Sequence, residues 1–344
     1  MLAGGELPLT RYEADALLAV PADRWIAAAD AGDTPVVRRF LDAGLLIGEA
    51  GDGPTEELRR RDQRLSSPPW NPYAALFHSL TRWRDVAVRL AEPPSPDSPR
   101  RKVRWRPPDH FYHVDAPSTV ALPLVERDGP LYDLLQRRKT TRGFDESAFL
   151  SLEELSVLLR TVWGAQGVLW LSEALSIVKK TSPSGGSQHP VEVYPLLRAV
   201  DGVEPGLYHY DAERHELGLL ELLSAEQAGE LIVEFTAGQP HYAKAQSVFL
   251  MTARFARNHW KYPAHAKSFR VLLMDAAHLS QTFYLVCTEL GLGAFVTGAI
   301  NDENIDRRLR LERFAEDVLL IVGCGRVAPS EREPRYEPFT PRAR

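Results

Sequence analysis

Residues 269–290 constrain the fold more than any other part of the chain. Phe269, Leu272, Leu273, Ala276, Leu279, Phe283, Val286, Cys287 and Leu290 recur at helical spacing over about six turns. A helix with an apolar stripe this long has to bury it, and Gly291 supplies the stop. Two continuous apolar runs of strand length, residues 247–253 and 318–323, read as central strands covered on both faces. Further strand signals are Val191, Val193, Leu197 and Ala199 in alternation. A hairpin is expected from residues 206–210 and 216–220 around the turn 211–214. Ser151 with Glu154 and Ser224 with Gln227 are capping boxes that open helices running to about Trp163 and Phe235. Strands and helices that do not alternate strictly give an α+β class, here a mixed sheet flanked by helices.

The 344 residues are enough for about two domains. Residues 120–330 carry the signals above. Residues 1–92 read as a mostly helical N-terminal domain, residues 93–119 as a Pro-rich linker and residues 331–344 as a C-terminal tail. Within the first segment, Val36, Val37, Phe40 and Leu41 share a helical face, Gly44 suits the residue after the helix, and residues 45–47 read as a short strand, a winged-helix-like half. A second helix is expected over residues 72–90. Residues 1–50 hold eight acidic side chains against four arginines, which argues against DNA and leaves peptide docking or packing as the role. The linker through Pro108 carries six prolines and the basic run Arg100, Arg101, Lys102, Arg104 and Arg106, read as solvated.

The formal net charge of −5 gives no general attraction to nucleic acid or to an anionic membrane. Two cysteines, Cys287 and Cys324, make no disulfide framework, and no CxxC or carboxylate pair stands at ligand spacing, so no metal site is expected. The first residues lack a basic n-region and an apolar h-region, and no transmembrane run follows; a reducing cytoplasm is the expected location.

Three short segments carry candidate chemistry. Arg137, Arg138, Lys139, Thr140, Thr141 and Arg142 bring cations and hydroxyls together before a capped helix, the groups a phosphate monoester needs. Ser182, Pro183, Ser184, Gly185 and Gly186 form a glycine-rich turn that lets backbone approach a flat or anionic ligand. Lys261 and Tyr262 precede the long helix and are a base and an acid if a cofactor lies beside them; otherwise they are a surface pair.

Taken in order, RRKTTRGFDE (137–146), TSPSGGSQHPVEVYPL (181–196), NHWKY (258–262), LLMDAAHLSQTFYLVCTELGLGAFVTG (272–298) and LIVGCGR (320–326) resemble the nitroreductase superfamily. Within it, they are most similar to the flavin-dependent azoline dehydrogenases of the SagB type, which act in peptide maturation. The resemblance spans about 210 residues and implies an α+β homodimer that binds FMN. It places Lys139, Thr140 and Arg142, helped by Arg138, at the flavin phosphate and ribityl chain. It places Ser182, Pro183, Ser184, Gly185 and Gly186 along the isoalloxazine ring. Gly293 and Ala294 are implied to approach the flavin, Gly325 and Arg326 to lie on the phosphate side, and His278 and Gln281 to line the dimer cleft with less weight. Lys261 and Tyr262 match the dyad of the azoline dehydrogenases, and Pro263 directly after them departs from the pattern.

The implied reaction removes the Cα proton of a thiazoline or oxazoline while hydride passes from Cβ to flavin N5, giving an azole. Lysine serves as a base only where a dry pocket lowers its usual pKa of about 10.4. The implied partners are a second copy, a ribosomally made precursor peptide and a cyclodehydratase complex. The rival enzyme is an NAD(P)H-consuming reductase of quinones, nitroaromatics or dehydroamino acids; the rival of another class is a flavin-free scaffolding subunit.

Overall fold

The computed structural model describes residues 7–21, 24–49, 54–88, 109–112, 114–125, 127–173 and 175–331. The basic Pro-rich run at 93–108 and the tail beyond Glu331 lie outside them. The N-terminal part contributes helices α1 (Arg11–Ala19), α2 (Thr34–Asp42), α3 (Pro54–Ser66) and α4 (Pro72–Leu80). The rest follows as α5 (Pro130–Arg137), α6 (Leu152–Val162), β1 (Gly167–Ser172), β2 (Leu175–Lys179), β3 (Val191–Leu197), β4 (Gly206–Asp211), β5 (Glu216–Leu222), α7 (Ala225–Phe235), β6 (Ser247–Arg254), α8 (Phe255–His259), α9 (Ser268–Glu289), β7 (Gly293–Thr297), α10 (Asp302–Leu309) and β8 (Glu316–Gly325).

Six strands form one sheet in the order β5-β4-β3-β6-β8-β7, with β1 and β2 as a separate hairpin. The sheet expected to be mixed is antiparallel at every pairing. Alternation along β6 explains why its sequence reads as an unbroken apolar run. Phe249 and Met251 join Leu155, Leu159, Phe283 and Cys287 of α6 and α9 on one face. Val248 and Leu250 join Leu231, Ile232 and Phe235 of α7 and Ile305 of α10 on the other. The result is a sheet between two helical layers, an α+β fold with α9 as its longest helix.

Both capping boxes form as expected. The Ser151 hydroxyl accepts from the Glu154 amide and the Ser224 hydroxyl from the Gln227 amide, and the acceptor at the third position returns the bond in each. Gly291, at φ +70°, follows the end of α9, a conformation that a Cβ would strain.

Two expectations for the N-terminal part are corrected. Residues 45–47 form no strand: Gly44 turns at φ +68° and the Leu45 and Leu46 amides both donate to the Phe40 carbonyl, closing α2 instead of starting a wing. The helix expected over 72–90 ends at Leu80, and residues 83–88 run as an irregular strap onto α10. Asn301 and Asn304 hold that strap: Asn301 Oδ1 accepts from the Val86 amide at 2.8 Å while its Nδ2 donates to the Val86 carbonyl, and Asn304 Oδ1 accepts from the Asp85 amide at 3.1 Å. Trp70, Ala74 and Ala75 share a core with Ala253, Phe255, Phe269, Leu272 and Phe314. The segment from α4 to the strap is therefore packed into the body that carries the sheet.

Candidate active site

The segment after α5 is built into the edge of the sheet. The Thr141 amide donates to the Ala294 carbonyl at 2.8 Å, the Asp145 amide to the Arg326 carbonyl at 2.9 Å, and Phe144 bridges to Val327. Gly293 pairs with Gly325 across β7 and β8, and a Cβ at Gly293 would stand 2.7 Å from the Thr141 side chain. Residues 138–144, 293–294 and 325–326, far apart in sequence, thus meet at one place. Tyr284 of α9 supplies its floor: Arg138 lies over the ring at 5.3 Å and the Thr140 hydroxyl is 3.0 Å from the phenol oxygen. Arg142 is exposed and its charge reaches the buried Tyr242, whose hydroxyl is pushed above its usual range by burial and drawn back by that cation. The Glu331 carboxylate accepts from the Arg142 amide at 3.1 Å, so this seat already takes an anionic group.

Two members of the expected set do other work here. The Arg326 guanidinium pairs with Glu154 of α6 at 2.8 Å, while its amide donates to Gln246 Oε1. Gly325 is required by Gln246 as well, since a Cβ there would overlap the amide oxygen.

The glycine turn forms the second half of the site, and α9 organises it. The buried Asp275 accepts from the Ser184 hydroxyl at 2.6 Å and from the Gly185 amide at 2.9 Å. Burial pushes its carboxyl above the ordinary range, and the two bonds from the turn pull it partly back. Ser182 pairs with Thr282 at 2.6 Å, and the Ser184 hydroxyl also accepts from the His189 amide. Both serine hydroxyls build the turn, then, and do not face outward. His189 is pushed down to about 4, by burial first and by the charge of Lys180 second, so its ring is neutral at pH 7.

Lys261 and Tyr262 follow α8: both amides donate to the Asn258 carbonyl, at 3.1 and 3.0 Å, and Pro263 after them has no N–H to donate. Lys261 Nζ donates to the Gly186 carbonyl at 3.0 Å. Gly186 has φ +62°, and a Cβ there would stand 2.6 Å from the Tyr262 hydroxyl and 2.7 Å from Lys261 Nζ. Glycine is needed at that point for the turn and for the approach of the dyad.

Asp275 and Tyr284 are nine residues apart on α9, about 13 Å at 1.5 Å per residue. The helix therefore spaces a cationic, hydroxyl-lined end from a glycine turn with a Lys-Tyr pair beside it. That layout fits an extended ligand with a phosphate at one end and a flat ring at the other. Asp275, Tyr284 and Gln246 were not among the residues expected. The signal for Asp275 was present: it falls at helical spacing between Leu272 and Leu279, a carboxylate inside an apolar stripe. Among the described residues, no group of three His, Cys, Asp or Glu side chains is placed to hold a metal ion, and no helix is long and apolar enough to cross a membrane.

The nitroreductase family model matches residues 135–326. A Methanocaldococcus jannaschii protein described as a nitroreductase, MJ1384, is 32% identical over 207 residues, covering 60% of this chain and 96% of that protein. The trifolitoxin-processing protein TfxB of Rhizobium leguminosarum bv. trifolii is 27% identical over 175 residues, covering 49% of this chain and 46% of TfxB, less than half of that relative's length. Among solved structures, a chain of the E. coli microcin synthetase McbBCD complex shares the fold, with a TM-score of 0.53 at 15% identity over 77% of this chain and 97% of that one.

Proposed function

Because the chain belongs to the nitroreductase family, an oxidoreductase family, we propose that it is an FMN-dependent dehydrogenase that oxidises azolines to azoles in a ribosomally made precursor peptide, acting as a homodimer. The observation that carries the reading is Lys261 Nζ on the Gly186 carbonyl at 3.0 Å, with Tyr262 against the same glycine. A reductase fed by NAD(P)H needs no base for a carbon-bound proton, whereas oxidation of an azoline does, and the amine and phenol stand where such a base would act. The name of TfxB, a trifolitoxin-processing protein, favours a peptide substrate.

Arg138, Lys139, Thr140 and Arg142 would hold the phosphate end of the cofactor and the turn at Gly185 and Gly186 its ring; bound FMN would supply the hydride acceptor. The substrate loses a proton from Cα and a hydride from Cβ, which forms the Cα=Cβ bond of the aromatic ring. Lys261, exposed in the single chain, would receive the proton only where bound FMN and peptide close over it and exclude water, with Tyr262 as the alternative proton carrier, and Asp275 would keep the turn in place beneath them. Hydrogen bonds to charged groups are worth about 1.5–3 kcal/mol. Arg142→Ala is accordingly expected to weaken FMN binding roughly 10- to 150-fold, read by fluorescence titration of the flavin-free protein. Unchanged affinity would reduce residues 137–144 to a charged face.

The test of the reaction is stopped-flow loss of flavin absorbance on mixing with an azoline-bearing peptide, compared with NADPH. Reduction by the peptide is the expected result. Rapid reduction by NADPH with none by any azoline would favour the NAD(P)H reductase, the reading to which the described nitroreductase MJ1384 points. A protein that stays colourless when FMN is added would leave only a scaffolding role.

A further inference from the structure

We propose that Pro69, Trp70 and Asn71, at the start of α4, position the Lys261–Tyr262 dyad, so that the N-terminal segment is part of the proton-transfer machinery; the proposal rests on the dehydrogenase reading above. The loop that carries the dyad is gripped on both sides by these three residues. On its far side, the Ala264 amide donates to the Pro69 carbonyl at 2.7 Å, and Asn71 Nδ2 donates to the Ala264 carbonyl at 3.3 Å. Ala264 sits at φ +50°, a conformation an alanine keeps only where its surroundings over-determine it. On its near side, the buried Trp70 meets His259 edge-on at 4.5 Å and Phe255 at 4.5 Å, with its indole N–H donating to the Phe314 carbonyl. His259 is itself buried, and among the described residues neither ring nitrogen has a hydrogen-bond partner. Its place is therefore fixed by packing against Trp70, two residues before Lys261.

The dyad depends on this grip because its own side chains are lightly held. Lys261 is exposed, with the Gly186 carbonyl as its anchor, and a displacement of about 1 Å at a catalytic group can cost on the order of 10²-fold in rate. Asn71 divides its two functions between two atoms: Oδ1 accepts from the Tyr73 and Ala74 amides as the cap of α4, and Nδ2 grips Ala264. Asn71→Asp separates them, since aspartate caps a helix as well as asparagine does but presents no donor to the Ala264 carbonyl.

The experiment compares Asn71→Asp with the parent by hydrogen exchange of flavin-free protein and by stopped-flow reduction of the FMN-loaded protein. The expected result is faster exchange confined to residues 259–266, with the melting temperature unchanged. The rate of azoline-driven reduction at saturating peptide should fall about 10-fold, with little change in the half-saturating peptide concentration or in reduction by NADPH. Parent-like exchange and an unchanged azoline rate would overturn the proposal while leaving the dehydrogenase reading intact. If the parent is not reduced by azolines at all, the function reading fails and the exchange decides the grip alone: raised exchange at 259–266 supports it, and unchanged exchange overturns it.

Discussion

Lys261→Ala and Tyr262→Ala are expected to retain FMN and yet slow azoline-driven flavin reduction by about 10²–10⁴-fold, the usual worth of positioned acid–base groups. Neither residue is in the cationic segment at 138–142, so the phosphate end of the site is untouched by either change. Both stand against Gly186, where the reacting carbon has to lie if the flat ring rests on the glycine turn. Reduction by NADPH moves a hydride and no carbon-bound proton, and the same variants should therefore accept electrons from NADPH nearly as fast as the parent. Lys261→Arg sharpens the test. Arginine keeps the charge and the reach but stays protonated in proteins, so it should resemble the alanine variant if Lys261 takes a proton, and the parent if a cation is all that is required. Paired stopped-flow traces for the three variants with both reductants supply the measurement. Equal losses with peptide and NADPH would mean that the pair shapes the site without moving a proton.

The parts of the fold legible in the sequence are those set by local chemistry. A serine followed three residues later by Glu or Gln specifies the starts of α6 and α7 because both bonds of the capping box lie within four residues. The unbroken apolar runs at β6 and β8 report burial on both faces of the sheet. The candidate site is a different matter. Lys261 and Gly186 are 75 residues apart, and only a resemblance, not spacing, could pair them. Trp70 reaches His259 across 189 positions, and nothing near Trp70 in the sequence marks it as support for a loop of another segment. The winged-helix reading failed for a related reason. Three apolar residues after a helix suit a strand, but the Leu45 and Leu46 amides both bond to the carbonyl of Phe40 in the helix just ended. Arg326 was placed by motif, and motif does not report that Glu154 holds its side chain.

Arg82→Met is expected to destabilise the protein more than any surface change, by about 3–5 kcal/mol, the cost of removing one partner from a buried ion pair. The Arg82 side chain is 3% exposed and lies between Asp306, with which it pairs, and Asp317, 3.6 Å away and fully buried. His78 Nε2 meets Asp317 at 2.9 Å, and the Phe314 amide donates to the same carboxylate. Burial alone would raise Asp317, yet His78 and Arg82 hold it below the ordinary carboxylate range, so the stability it contributes is present above that range and lost as the pH falls through its depressed value. Asp306 is shifted the other way, pushed up by burial and by the charge of Asp317, so its contribution grows as the pH falls. The two trends oppose each other, which makes substitution a better probe of this cluster than acid titration. At about 2–4 °C per kcal/mol for a body of this size, Arg82→Met should lower Tm by roughly 6–20 °C. Adding Asp317→Asn should recover part of the loss, because a neutral buried side chain is less costly than an unpaired carboxylate. Melting curves of both single variants and the double give the coupling between them, and a single variant that melts with the parent would mean that the cluster does not hold α4 to β8. Where it does hold, the effect should travel: α4 carries the cap that grips Ala264, so loosening Arg82 should also speed hydrogen exchange at residues 259–266 before the sheet itself opens.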